Sequence, residues 1–164
     1  MNREVGLLCF SEDWADPVLW SHYAARHRGM CLGFNVPEGR LNDVRYEAAR
    51  LAGVRVGEPL PREVADILLC TKFTSWSYER EKRAIVPLKD MQKEGDLYFA
   101  PFSRVKLSLV EVILGPLCSL PLADMRRIVS MHHKDVEVYQ ARLAVKSFNI
   151  VPNEPSLTPV AAPS

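Results

Sequence analysis

The sequence predicts an α+β fold, a mostly antiparallel sheet with two or three helices packed against it. Three observations predict it. Apolar runs of strand length recur along the chain, and three amphipathic stretches each open on a proline. The two kinds of element follow one another in an order that suits this class, with no internal repeat.

Val5 to Phe10 is a short apolar run that reads as a buried strand. Asp16-Pro17 opens the first helix, with Asp as N-cap and Pro at the first helical position. Leu19, Trp20, Tyr23, Ala24 and His27 fall on or near one face, which makes Trp20 and Tyr23 core residues. Gly29 is the expected helix stop, and His27 suits the carbonyls at the negative end of the helix dipole. Met30 to Val36 reads as the next strand, followed by a turn at Pro37-Glu38-Gly39. A strand around Val44-Arg45-Tyr46 leads into a variable connection over residues 47–60. Pro61 opens a helix through about Phe73, with Val64, Ile67, Leu68 and Thr71 as its inward stripe.

Trp76 to Val86 is expected as one strand, with Glu79, Glu81, Arg83 and Ile85 on one side. Charge on both of its sides implies either an edge strand or a face lining a polar cleft. Leu97-Tyr98-Phe99 and Lys106 to Leu114 are further strands, the second broken by Gly115-Pro116. Pro121 to Met131 is the third helix, with an apolar side of Leu122, Met125, Ile128 and Val129. Asp135 to Phe148 is the last strand. Residues 1–151 form a single expected domain, and 152–164, with four prolines and few large apolar groups, a disordered tail.

Composition narrows the function classes. The 164 residues carry 21 Lys and Arg against 20 Asp and Glu, a net charge of +1. That balance argues against nucleic-acid binding through bulk charge. No apolar run approaches the roughly 18 residues of a membrane span, and the apolar stretch near Met1 is too short for a signal peptide. Cys9, Cys31, Cys70 and Cys118 form no Cys-x-x-Cys pair, so no metal site is indicated. Their apolar settings suit buried thiols in a reducing cytosol, and the expected localisation is cytoplasmic. Gly-rich phosphate loops, nucleophile elbows and His-Glu-x-x-His motifs are absent from the sequence.

Two groups of residues can carry chemistry. The first is Phe10-Ser11-Glu12 with Trp20-Ser21-His22-Tyr23 and His27-Arg28-Gly29; the second is Lys72, Trp76, Tyr78, Glu79, Glu81 and Arg83. Carboxylates two apart on a strand share a face about 6.5–7 Å apart. Glu79 and Glu81 can then polarise a hydroxyl or stabilise a developing cation, one holding while the other reacts. Alternatively, the same acids are ion-paired with Arg80, Lys82 and Arg83 and serve the scaffold. On the site reading, Glu81, Glu79 and His22 are the catalytic candidates, while Tyr23, Lys72 and Arg83 bind the ligand.

The run Leu19-Trp20-Ser21-His22-Tyr23-Ala24, with His27, Gly29, Cys31-Leu32-Gly33-Phe34 after it, resembles the signature of a bacterial family catalogued as domain-of-unknown-function family 2971. Cys9-Phe10-Ser11-Glu12, Val44-x-Tyr46, Lys72-x-x-x-Trp76-x-Tyr78-Glu79-x-Glu81-x-Arg83 and Val112-Ile113-Leu114-Gly115 extend the resemblance over residues 5–150. It implies a chain shortened at its N-terminus relative to that family, and it implies no established activity. Glu-x-Glu beside aromatics is also similar to the acidic strand of ADP-ribosyltransferase-like proteins, which makes a nucleotide or NAD the expected ligand type. No other cofactor is indicated. The reading from a different class is a non-catalytic interaction module, or an inactive remnant of a longer enzyme, with self-association through an open sheet edge.

Overall fold

The computed structural model describes residues 4–52 and 61–153. In chain order the elements are β1 (Val5–Ser11), α1 (Pro17–Tyr23), β2 (Met30–Asn35), β3 (Asn42–Asp43), β4 (Arg45–Glu47), α2 (Arg62–Leu69), β5 (Thr71–Phe73), β6 (Glu81–Pro87), β7 (Gln92–Glu94), β8 (Leu97–Phe99), α3 (Phe102–Val105), β9 (Ser108–Leu114), α4 (Leu122–Ser130), β10 (Glu137–Leu143) and β11 (Ile150–Pro152). Short 3-10 helices lie at Thr74–Glu79 and Leu88–Asp90. The fold is α+β with mostly antiparallel strands. Most of the expected tail, from residue 154 on, and the last part of the 47–60 connection lie outside the described residues.

The chain divides into two compact units, Met1–Asp13 with Asn35–Ser108, and Trp14–Phe34 with Leu109–Ser164. In the first unit, β6 lies between β1 and β3, antiparallel to both. It is therefore the central strand of this sheet and not an edge. The register pairs Cys9 with Arg83 and Ser11 with Glu81, so Cys9, Glu81 and Arg83 share one face. Leu8, Ala84 and Val86 share the other. Beside this sheet run a parallel pair, β4–β5, and an antiparallel hairpin, β7–β8, closed at Gly95. Gly95 has φ +60, where a Cβ would be strained, and this is the turn that the Gly95-Asp96 pair provides.

In the second unit the strand order is β11-β10-β9-β2, with β9 and β10 parallel and joined through α4. Trp20, Ala24, Ile113, Ala141 and Ile150 form one buried cluster, with Trp14, Cys31 and Tyr139 against it. Val112, Val129 and Val138 form a second, flanked by Leu122 and Met125.

Helix α1 begins as its sequence dictates: Asp16 Oδ1 accepts from the Val18 amide at 2.7 Å and Pro17 occupies the first turn. It ends one turn earlier than expected, at Tyr23. Ala25, Arg26 and His27 all adopt positive φ, at 48, 55 and 68°, and the chain turns back so that Gly29 donates to the Ala24 carbonyl at 2.8 Å. The two-turn helix directs Trp20 and Ala24 inward, and Tyr23 is 66% exposed rather than core. The His27 ring does not cap the helix carbonyls; its backbone amide does, donating to the Trp20 carbonyl at 3.1 Å. Its Nε2 lies 2.8 Å from Ser21 Oγ, and its Nδ1 is buried without a hydrogen-bond partner among the described residues.

The expected helix 61–73 stops at Leu69, and Thr71–Phe73 pairs with β4 instead. The strand expected through Phe148 ends at Leu143; Val145 is exposed beyond it, and Ile150–Pro152 returns as β11.

Candidate functional site

Glu79 and Glu81 are the buried charged side chains among the described residues, at 4% and 7% exposure. Burying a carboxylate costs several kcal/mol unless charge and hydrogen bonds compensate it, so the question is what compensates these two. They do not come from one strand. Thr74–Glu79 is a 3-10 helix, Arg80 takes a left-handed turn at φ 44, and β6 begins at Glu81. The expected Trp76–Val86 strand is thus broken at Arg80, because the left-handed residue reverses the direction in which the chain leaves the 3-10 helix. Even so, the turn brings both carboxylates to one cation. Lys72, from β5, ion-pairs with Glu79 and reaches Glu81 Oε2 at 3.0 Å. Its ammonium also lies 4.9 Å from the centre of the Trp76 ring, within cation–π range.

Arg83 completes the set. Its Nε donates to Glu81 Oε1 at 2.8 Å and its Nη2 to Glu81 Oε2 at 3.0 Å, a forked pair. Its Nη1 donates to the Leu69 carbonyl at the end of α2. The Glu81 amide donates to the Tyr46 hydroxyl at 2.7 Å, and the Cys9 thiol hydrogen-bonds the Glu81 carboxylate. Two anions meet two cations, and both oxygens of Glu81 are engaged.

The electrostatics follow from these contacts. Burial alone would raise the Glu81 carboxyl; the hydrogen bonds from Arg83, Cys9 and Lys72 outweigh it and bring it down to about 2. Desolvation, then the adjacent Glu81 carboxylate, push the Cys9 thiol up to about 11, so it is neutral and not a poised nucleophile. Burial pulls the Lys72 ammonium down, but its two carboxylate partners hold it above its ordinary value. A carboxyl near 2 is ionised at neutral pH and cannot serve as a general acid. The arrangement can hold strand β6 against β4, β5 and α2.

A pH dependence follows. The Glu81 carboxyl falls from an ordinary 4.5 to about 2 on folding, so its contribution to stability is full above pH 4.5. That contribution, on the order of 3 kcal/mol, is lost as pH falls from 4.5 towards 2. Urea midpoints measured down this range should drop, and the drop should shrink in Glu81→Gln.

Four of the six sequence-derived candidates, Lys72, Glu79, Glu81 and Arg83, thus converge in the first unit. His22 and Tyr23 belong to the second unit, where both are exposed on α1 and their rings meet edge-on at 6.1 Å. Two members of the cluster were not among the site candidates: Cys9, which arrives through the β1–β6 register, and Tyr46, which arrives through the β4–β5 pairing. Neither register has a local signal. Among the described residues, no group of three or more His, Cys, Asp or Glu side chains is placed to hold a metal ion, and no helix is long and apolar enough to cross a membrane. Compared with protein-family models, with curated proteins and with solved structures, the chain matches none.

Proposed function

We propose that this chain is a non-catalytic interaction module that associates with a second copy of itself through the β7–β8 hairpin. On this reading the Glu79–Glu81 cluster is scaffold, the protein works in the reducing cytosol, and the resemblance to family 2971 reflects a shared scaffold. The observation that carries the reading is the hairpin. All six of its strand residues are exposed, with Leu97 at 64% and Phe99 at 46%. An isolated two-stranded hairpin is marginal in water, and among the described residues neither strand pairs with another along its outer edge. An antiparallel pairing of β8 with its own copy, centred on Tyr98, sets Leu97 of one chain opposite Phe99 of the other. Such a two-fold contact is self-complementary and buries both side chains.

The nucleotide or NAD reading is the weaker one, because the carboxylate it needs is already held by Arg83 and Lys72. Two measurements decide. Light scattering over a concentration series should show wild type passing from monomer to dimer, with Leu97→Asp monomeric throughout and as stable to heat as wild type at concentrations where wild type is monomeric. A wild type that stays monomeric at every concentration overturns the proposal. Thermal shift with NAD should show no dose-dependent stabilisation; a saturable rise that Glu81→Gln abolishes would restore the catalytic reading.

A further inference from the structure

The face of the β1–β6 pair opposite the charge cluster borders a half-open cavity of about 400 Å³. That volume holds on the order of a dozen waters at about 30 Å³ each, and it falls in the range of small-molecule sites. Its walls are of two kinds. Leu8 and Val86 from the strands, with Met91 and Leu107 from the segment that follows, make an apolar floor. Arg40 and Arg104 are the basic residues that line the cavity. Arg104 is fixed there by donating from Nη1 to the Asp90 carbonyl at 2.6 Å, which leaves its Nε and Nη2 for another acceptor. Arg40 makes no ion pair among the described residues. Asp90, which also lines the cavity, carries one negative charge.

We propose that this cavity binds a small amphipathic monocarboxylate, its apolar body against Leu8, Val86 and Leu107 and its carboxylate on Arg40 and Arg104. Charge complementarity sets the class. Two guanidinium groups against one carboxylate leave a single positive excess, which one monoanion neutralises and a dianionic phosphate overshoots. Planar guanidinium forks match a carboxylate in two parallel hydrogen bonds. The apolar floor excludes a fully polar anion, which would leave it wet. The site is separate from the hairpin and from the Glu81 cluster, so it stands or falls independently of the self-association reading.

The probe is octanoate, with octanol and octylammonium as uncharged and charge-reversed analogues of the same length. Octanoate should raise the melting temperature of wild type saturably, while octylammonium gives no stabilisation and octanol less. Arg40→Gln combined with Arg104→Gln should weaken octanoate by at least about tenfold, the loss of charge-assisted hydrogen bonds to the head group. Ala84→Leu, which extends a side chain from the cavity-lining face, should abolish binding, and Leu97→Asp should leave it unchanged. The proposal is overturned if wild type shows no saturable response to octanoate, if the three compounds act alike, or if the double arginine variant binds as wild type does.

Discussion

Replacing Arg83 with methionine is expected to lower the stability of the folded chain by about 3–5 kcal/mol, the cost of removing one partner from a buried ion pair. The reason is a charge imbalance. With Arg83 present, Glu79 and Glu81 face Arg83 and Lys72; without it, two buried carboxylates share one ammonium, and the Leu69 carbonyl loses its donor. Methionine fills comparable space, so the loss reports charge and hydrogen bonding more than packing. Urea denaturation followed by tryptophan fluorescence measures it. The control is the Glu81→Met, Arg83→Met double variant. Lys72 and Glu79 then remain as a balanced pair, and the double variant should be more stable than Arg83→Met alone. A single variant within about 0.5 kcal/mol of wild type would mean that the cluster is solvated and contributes nothing.

Gly115→Ala is expected to cost about 3 kcal/mol, at the upper end of the overpacking range. A Cβ at residue 115 would sit 2.3 Å from the His27 carbonyl oxygen and 3.0 Å from that of Gly29. These are backbone atoms, and they cannot swing aside as a side-chain tip would. Gly115 donates to the Gly29 carbonyl at 2.9 Å and Leu117 donates to the His27 carbonyl at 3.0 Å, so relieving the clash breaks two hydrogen bonds within the second unit. Ala at Gly95 is the contrast: its Cβ meets nothing within 4 Å, and its cost comes from φ alone. Chemical denaturation should therefore show the larger loss at 115. Equal losses would refute the steric account.

Where one residue dictates local geometry, the sequence was readable. Asp16-Pro17 specified the start of α1, Gly115-Pro116 ended β9, and the apolar run at Val5 became β1. The break at Arg80 was not readable, because arginine in the left-handed region has no local signature and Glu-Arg-Glu-Lys-Arg alternates as a strand would. The same holds for Ala25, Arg26 and His27, whose positive φ cut α1 short and left Tyr23 outside the core. At the site, residue types on one short stretch pointed to Lys72, Glu79, Glu81 and Arg83. The geometry that neutralises them depended on strand register, which brought Cys9 and Tyr46 from distant positions. Long-range pairing is settled by packing of whole elements, and no short window of sequence contains it.

The second unit is assembled from two stretches of chain separated by the whole of Asn35–Ser108. During synthesis Trp20 leaves the ribosome about 130 residues ahead of Ile150, one of the residues that enclose it. At translation speeds of about 5–20 residues per second, that interval is on the order of ten seconds. For that time Trp14 and Trp20 have no finished cavity to enter, while most of the inserted stretch has already emerged and can collapse on its own. Over that interval the aromatic segment is expected to be open to holdase chaperones.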